Sequence, residues 1–199
     1  MSMAGMRGLR DMECGKRKVC MRRQMLKKRT GLEDGYCLNA DKAILRRFLQ
    51  MEVYQGADVV FTYVSMAGEV DTRKLICRAL SDGKRVAVPR CEGKGIMKAY
   101  YIVDMGELET GAYGILEPKT GCEEARPEDI GLAVVPCVCC SEGGFRLGSG
   151  GGYYERYLSG TAAVRAALCR ERMMVAEVPL EIHDCAMDFV VTEERVLAF

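Results

Sequence analysis

The chain has no run of 18 or more apolar residues, so nothing in it reads as a membrane-spanning helix. Its first residues also lack the apolar stretch of a secretory signal, because Arg7, Arg10, Asp11 and Glu13 interrupt it. Histidine occurs once, as His183, and the cysteines form no paired C-x-x-C modules, so a zinc-ribbon scaffold is not expected. There is no Pro/Gly/Ser linker and no repeat of 20–50 residues, which leaves one domain. Net charge is nearly absent: 29 basic against 28 acidic residues give +1, against a binder of nucleic acid or membrane held by overall charge. Nor is there a Walker A loop, since Gly-Lys-[Ser/Thr] is missing.

What is present is ordinary for a globular protein: 199 residues, 49% apolar and 29% charged. A chain of this length buries roughly 70% of its unfolded surface, enough for a core without metal or disulfide staples. The eleven cysteines are an odd number and fit reduced thiols in the cytoplasm. Cys137, Cys139 and Cys140 read as small apolar residues after a buried strand, with zinc the lesser reading. Charge is uneven. Residues 1–30 hold ten Lys/Arg against two acids, a local +8, so the remainder carries −7. That segment is a nucleic-acid arm, a targeting peptide or a helix folded back on an anionic ligand.

The periodicity predicts an unstructured extension over residues 1–13 and a helix over 16–29 that packs through Val19, Met21, Met25 and Leu26, with Lys18 and Arg22 four apart on another face. A second helix carries Ala43, Ile44, Phe48 and Leu49, capped by Asp41 and closed by Gly56. Then the period changes. Buried strands are expected over 59–64, 86–89, 98–103, 132–136 and 189–191, with a helix from Asp71 or Thr72 through Leu80. Residues 164–169 are ambiguous, helical by propensity but short enough for a strand. The fold class is therefore α/β: a three-layer single domain over 14–199, its mostly parallel central sheet covered by helices on both faces.

The most informative stretch is GGFRLGSGGGYYERY at 143–157, directly after a buried strand and entering a helix near Gly152. Glycines at 148, 150, 151 and 152 let backbone amides turn toward an anion, and Arg146 can bind phosphate oxygens in a bidentate manner. Loops at the carboxyl ends of parallel strands form the ligand crevice of an open sheet. A second such loop, SMAGEVDT at 65–72, offers Glu69 and Asp71; His183 beside Asp184 is a turn or a site pair; Glu155 is a candidate Mg2+ ligand.

Five motifs in order, KVCMR at 18–22, YVSMAGEVDT at 63–72, GILEP at 114–118, RLGSGGGYYER at 146–156 and VPLEIHD with DFVVTE across 178–193, resemble the 5-formyltetrahydrofolate cyclo-ligase family. The resemblance implies ATP- and Mg2+-dependent cyclisation of 5-formyltetrahydrofolate to 5,10-methenyltetrahydrofolate, with phosphoryl activation of the formyl oxygen and release of ADP and phosphate. It implies that Lys18, Arg22 and Arg146, with Gly148, Ser149, Gly150, Gly151 and Gly152, hold the triphosphate, and that Tyr153 and Tyr154 line the shared wall. Lys18, Arg146 and Tyr154 would be catalytic, Val64, Glu69 and Tyr153 would meet the folate, and Glu155 and Asp184 would hold Mg2+. At Glu155 the family usually carries Asp. The partners implied are a reduced folate and ATP, with no nucleic acid or membrane, in a monomeric cytoplasmic protein. The alternatives are a family-like protein that binds nucleotide or folate without turnover, and a nucleic-acid-binding module using residues 7–29.

Overall fold

The computed structural model describes the backbone of residues 3–111, 114–182 and 184–199, with side chains from residue 12 onward. Five strands that are apolar on both faces form the parallel centre of an eight-stranded sheet: Val59–Thr62 (β1), Arg85–Gly93 (β2), Leu132–Val135 (β7), Val164–Leu168 (β10) and Phe189–Val191 (β12). The full order is β13-β12-β10-β7-β1-β2-β3-β6, with Ile96–Ile102 (β3) and Val196–Ala198 (β13) antiparallel to their inner neighbours and Glu124–Ala125 (β6) at the far edge. A hairpin of Leu108–Thr110 (β4) with Leu116–Pro118 (β5) stands apart. A small sheet of Cys139–Ser141 (β8), Arg146–Leu147 (β9) and Met174–Val175 (β11) forms beyond the strand ends.

Strand alternation sorts the core into two layers. Val60, Leu132, Val134, Ala166 and Leu168 pack on one side against Ile44 and Phe48 of Asp34–Leu49 (α2), Tyr54 of Glu52–Gln55 (α3), and Leu75, Ile76 and Ala79 of Arg73–Ser81 (α4). Val59, Phe61, Ala133, Val135 and Ala167 pack on the other against Met21, Met25 and Leu26 of Met3–Thr30 (α1) and the tyrosines of Tyr153–Tyr157 (α5). This is the expected α/β sandwich with helices on both faces. No helix among the described residues is long and apolar enough to cross a membrane.

Several expectations are corrected. Residues 3–13 are helical, so α1 starts at Met3 and not near residue 16. Met21, Met25 and Leu26 of α1 pack inward as expected, but Lys18 is buried while Val19 is exposed, because acidic partners meet the lysine from the C-terminal segment. Asp41 does not cap α2, which starts seven residues earlier after Glu33; the stripe Ala40, Ile44 and Phe48 runs on through it. Residues 164–169 settle as strand because β10 is central, laddered to β7 on one side and β12 on the other, which outweighs local helix propensity.

Asp41 has a different task. Its carboxylate accepts from Arg170 Nε at 2.7 Å and Nη2 at 2.9 Å, and the same guanidinium donates to the carbonyls of Gly68 and Glu69, both at 2.8 Å. This buried clamp fixes the 65–72 loop after β1. Removing the cation would leave the Asp41 carboxylate only the Asp71 N–H and take the donor from two carbonyls, so Arg170→Met should cost about 3–5 kcal/mol in urea unfolding. Arg126→Ala, which removes surface pairs with Asp129 and Glu128, should leave the urea midpoint where it is.

Candidate active site at the carboxyl ends of the strands

The loops following β1, β7 and β10 leave the same edge of the sheet, and α1 lies across them. Lys18, Arg22 and Arg29 are spaced by four and seven residues, so they share one helical face and each meets a different partner. Lys18 Nζ donates to Glu181 Oε2 at 2.6 Å and Asp184 Oδ2 at 2.5 Å. Arg22 Nε donates to the carbonyl of Gly148 at 2.7 Å. Arg29 packs on Gly68, its Nε 3.3 Å from where a Cβ would stand. One helix thereby ties together the C-terminal segment, the glycine loop and the 65–72 loop.

Backbone space in the glycine loop is already claimed by cations. A Cβ on Gly150, whose φ is +98°, would sit 3.2 Å from Arg22 Cζ, and one on Gly148 would sit 2.6 Å from Arg146 Nη1. Arg146 is itself almost wholly enclosed. Its Nη2 pairs with Glu155 Oε1 at 2.7 Å, Nη1 donates to the Pro136 carbonyl at 3.2 Å, and its buried Nε–H has no acceptor among the described residues. Arg165 Nε, which lines the same crevice, also has no acceptor among the described residues, so this edge offers unsatisfied guanidinium N–H groups to a water or an anion.

The aromatic wall stands next to it. Tyr154 packs on Phe61 with ring centroids 5.9 Å apart, and the Arg146 guanidinium lies 5.8 Å from the Tyr154 ring. Burial pushes the Tyr154 phenol well above its ordinary value, so its hydroxyl stays protonated. Tyr153 closes over Gly151, while Ser149, Gly150 and Gly151 are exposed. Glu69 is half-buried: its Oε2 accepts from the Met66 N–H at 2.9 Å, and burial outweighs that bond and the Arg29 charge to raise its carboxyl pKa. Val64 is buried in the layer that faces α2 and α4.

Each expected Mg2+ ligand is held by a cation. One oxygen of Glu155 is on Arg146, and Asp184 Oδ2 receives both Lys18 and the Glu181 N–H, the latter at 2.7 Å. Glu155 and Cys185, the neighbour of Asp184, line one narrow crevice with Arg146 and Tyr154, while Glu69, Arg29 and Arg170 line a second. His183 lies outside the described residues.

Sequence reasoning passed over three residues. Arg156, part of the 146–156 motif, donates through Nε to the Gly95 carbonyl at 2.9 Å and through Nη2 to the Gly151 carbonyl at 2.6 Å, bracing the loop on the turn between β2 and β3. Arg29 belongs to the stripe that Lys18 and Arg22 define, and its spacing was the available signal. Glu181 shares Lys18 with Asp184, and only the tertiary approach of α1 reveals it.

Fold and site define an α/β protein whose strand ends gather arginines and a lysine around a glycine-rich loop. Comparison with known proteins gives the class a family. The family model for 5-formyltetrahydrofolate cyclo-ligases matches residues 14–193. The 5-formyltetrahydrofolate cyclo-ligase of Escherichia coli is 30% identical over 148 residues, 70% of this chain and 80% of that protein. The enzyme of the same name from Mycolicibacterium smegmatis is 33% identical over 145 residues, 68% and 74% of the two chains. The solved structure of 5,10-methenyltetrahydrofolate synthetase from Aquifex aeolicus superposes with a TM-score of 0.81 at 28% identity, over 91% of this chain and 92% of that one. The chain belongs to the 5-formyltetrahydrofolate cyclo-ligase family, a family of enzymes.

Lys18 should show its role as a pin through pH. Burial alone would lower its pKa, but the bonds to Asp184 and Glu181 prevail and raise it above 10.5. A raised ammonium pKa contributes stability that is present below the ordinary value and is lost as pH rises through the raised one. Lys18→Met should cost about 1–2 kcal/mol at neutral pH, less than a fully enclosed pair because solvent screens part of it. The deficit relative to wild type should therefore hold at neutral pH and shrink as pH rises past the ordinary lysine value of 10.5, measured by thermal melts.

Proposed function

We propose that the chain catalyses the ATP- and Mg2+-dependent cyclisation of 5-formyltetrahydrofolate to 5,10-methenyltetrahydrofolate, releasing ADP and phosphate, as a monomer in the cytoplasm. The observation that carries this reading is the convergence of Arg22 and Arg146 on one glycine loop, with the Arg146 Nε–H lacking an acceptor. The eleven free cysteines accord with a reducing compartment.

The residues fit a nucleoside triphosphate and its metal. Guanidinium and ammonium groups surround a backbone cradle that side chains would fill, and two carboxylates, Glu155 and Asp184, offer the hard oxygen donors Mg2+ prefers. Bound ATP supplies the phosphoryl group that makes the formyl oxygen a leaving group. The protein's contribution is positioning and charge neutralisation.

Arg146, Arg22 and Lys18 take phosphate oxygens, and the glycines at 148 and 150–152, with Ser149, let backbone amides approach them. In the free protein the same cations hold Glu155 and Asp184. Arg146 and Lys18 would turn from these carboxylates to phosphate oxygens, leaving Glu155 and Asp184 free to hold the metal, and the cleft's cations would offset the net −2 of an Mg2+-triphosphate. Tyr154 keeps its proton and donates toward the reacting oxygen; Tyr153 forms the wall shared with folate. Glu69, with its raised pKa, hydrogen bonds the pterin, and the strand end at Val64 presents its backbone beside it.

The basic helix does not behave as a nucleic-acid arm in this reading, because Lys18, Arg22 and Arg29 face inward; Lys16, Arg17, Arg23, Lys27 and Lys28 remain exposed. Glu155 in the grip of Arg146 favours the second reading, a protein that binds both ligands without turnover.

The test follows the near-ultraviolet absorbance of the methenyl product with ATP, with and without Mg2+. A charge-assisted hydrogen bond is worth about 1.5–3 kcal/mol, so Arg146→Ala and Arg22→Ala should each lower kcat/KM for ATP by about 10–100-fold with the fold unchanged. Wild-type kinetics from both would remove the phosphate site. ADP formation without the methenyl band would redirect the substrate, and binding of both ligands without either product would leave the binding-only reading.

A further inference from the structure

The cysteines hold a feature that the cyclo-ligase reading leaves unused. β7 and β10 are adjacent and parallel, with Val135 opposite Ala167. Two residues further along each chain stand Cys137 and Cys169, level with one another as the strands end. Cys140, at C-x-x-C spacing from Cys137, enters from β8. The Sγ atoms of Cys137, Cys140 and Cys169 all lie within 4.8 Å of one another. Cys139 is not a member: successive strand residues point to opposite faces, and it is buried on its own. Cys139 and Cys140 are buried, as expected of small apolar residues after a strand, and the spatial trio takes Cys169 in place of Cys139.

We propose that Cys137, Cys140 and Cys169 form a binding site for one thiophilic divalent cation of the Zn2+ class, its fourth position open to the crevice between the 65–72 loop and α1. Zn–S bonds of about 2.3 Å in a tetrahedral arrangement put sulfurs about 3.8 Å apart, so the three need to close by only about 1 Å or less. Cys140 and Cys169 are buried, while Cys137 is half-buried and lines that crevice together with Cys169, Glu69 and Arg29. The fourth ligand is a water or the Glu69 carboxylate. Each thiol releases its proton to solvent as its sulfur–metal bond forms. Three thiolates and a divalent ion sum to −1, and the Arg146 and Arg29 charges that act on Cys137 offset it. The triad is separate from Glu155 and Asp184, whose oxygen donors suit a hard ion; three sulfurs select a soft one.

Co2+ added to the reduced, chelator-stripped full chain is the direct probe. One equivalent should give thiolate-to-cobalt absorption in the near ultraviolet and the visible bands of a four-coordinate ion, both erased by Zn2+. Outer-shell groups alone are worth about 10–100-fold in metal affinity, so losing a ligand in Cys169→Ser should weaken binding by at least about 100-fold. Cys137→Ser, at a half-buried position, should do the same and decides the matter if Cys169→Ser does not fold by circular dichroism. Cys139→Ser should bind as the wild type does. No cobalt bands in the wild type, or unchanged affinity in the folded Cys137 variant, would overturn the site.

Discussion

A single lysine decides where the first helix goes. Lys18 ends between two carboxylates of the C-terminal segment, Glu181 and Asp184. With that ammonium anchored against the C-terminal segment, the helical repeat dictates the rest. Arg22, one turn on, must land on the glycine loop, Met25 on the core, and Arg29 on the 65–72 loop. A chain that is acidic over most of its length keeps a basic helix because the helix is its own counterion.

The cleft this creates is charge-balanced and closed. The two crevices at the strand ends leave only about 10 and 20 Å3 of free space, far below the roughly 300–1,000 Å3 of small-molecule sites, and arginine side chains fill the space over the glycines. On the proposed reading, a ligand at this edge would draw Arg146 and Lys18 from their carboxylate partners and require α1 and the loop to part. Such an exchange avoids the desolvation cost of leaving any buried charge alone. Pairing Arg146 with Glu155 and Lys18 with Asp184 also ties β9 to α5 across the glycine loop and α1 to the C-terminal segment.

Most of the sheet was legible because parallel strands buried on both faces announce themselves as short apolar runs: VVFT, LAVV and FVV were readable as strands without help. The glycine loop was legible for the complementary reason, its composition being unsuited to anything but close backbone approach. What escaped detection depended on partners far away in sequence. Arg170 and Asp41 are 129 positions apart, and neither shows its clamp in local pattern. Two- and three-residue strands such as β8, β9 and β11 are too short for any periodicity. The burial of Lys18 departs from an amphipathic reading that assumed charge faces water, and Cys169 joined Cys137 only through the β7–β10 register.

The central claim is that α1 and the glycine loop act together on one anionic ligand. Amide hydrogen exchange, followed by mass spectrometry with and without Mg2+-ATP, measures it directly. The account predicts slowed exchange in three segments at once, residues 16–23, 146–153 and 178–184, with the distant β4–β5 hairpin unaffected. Saturating nucleotide that leaves 16–23 and 146–153 unchanged, or protects only one of them, would contradict it.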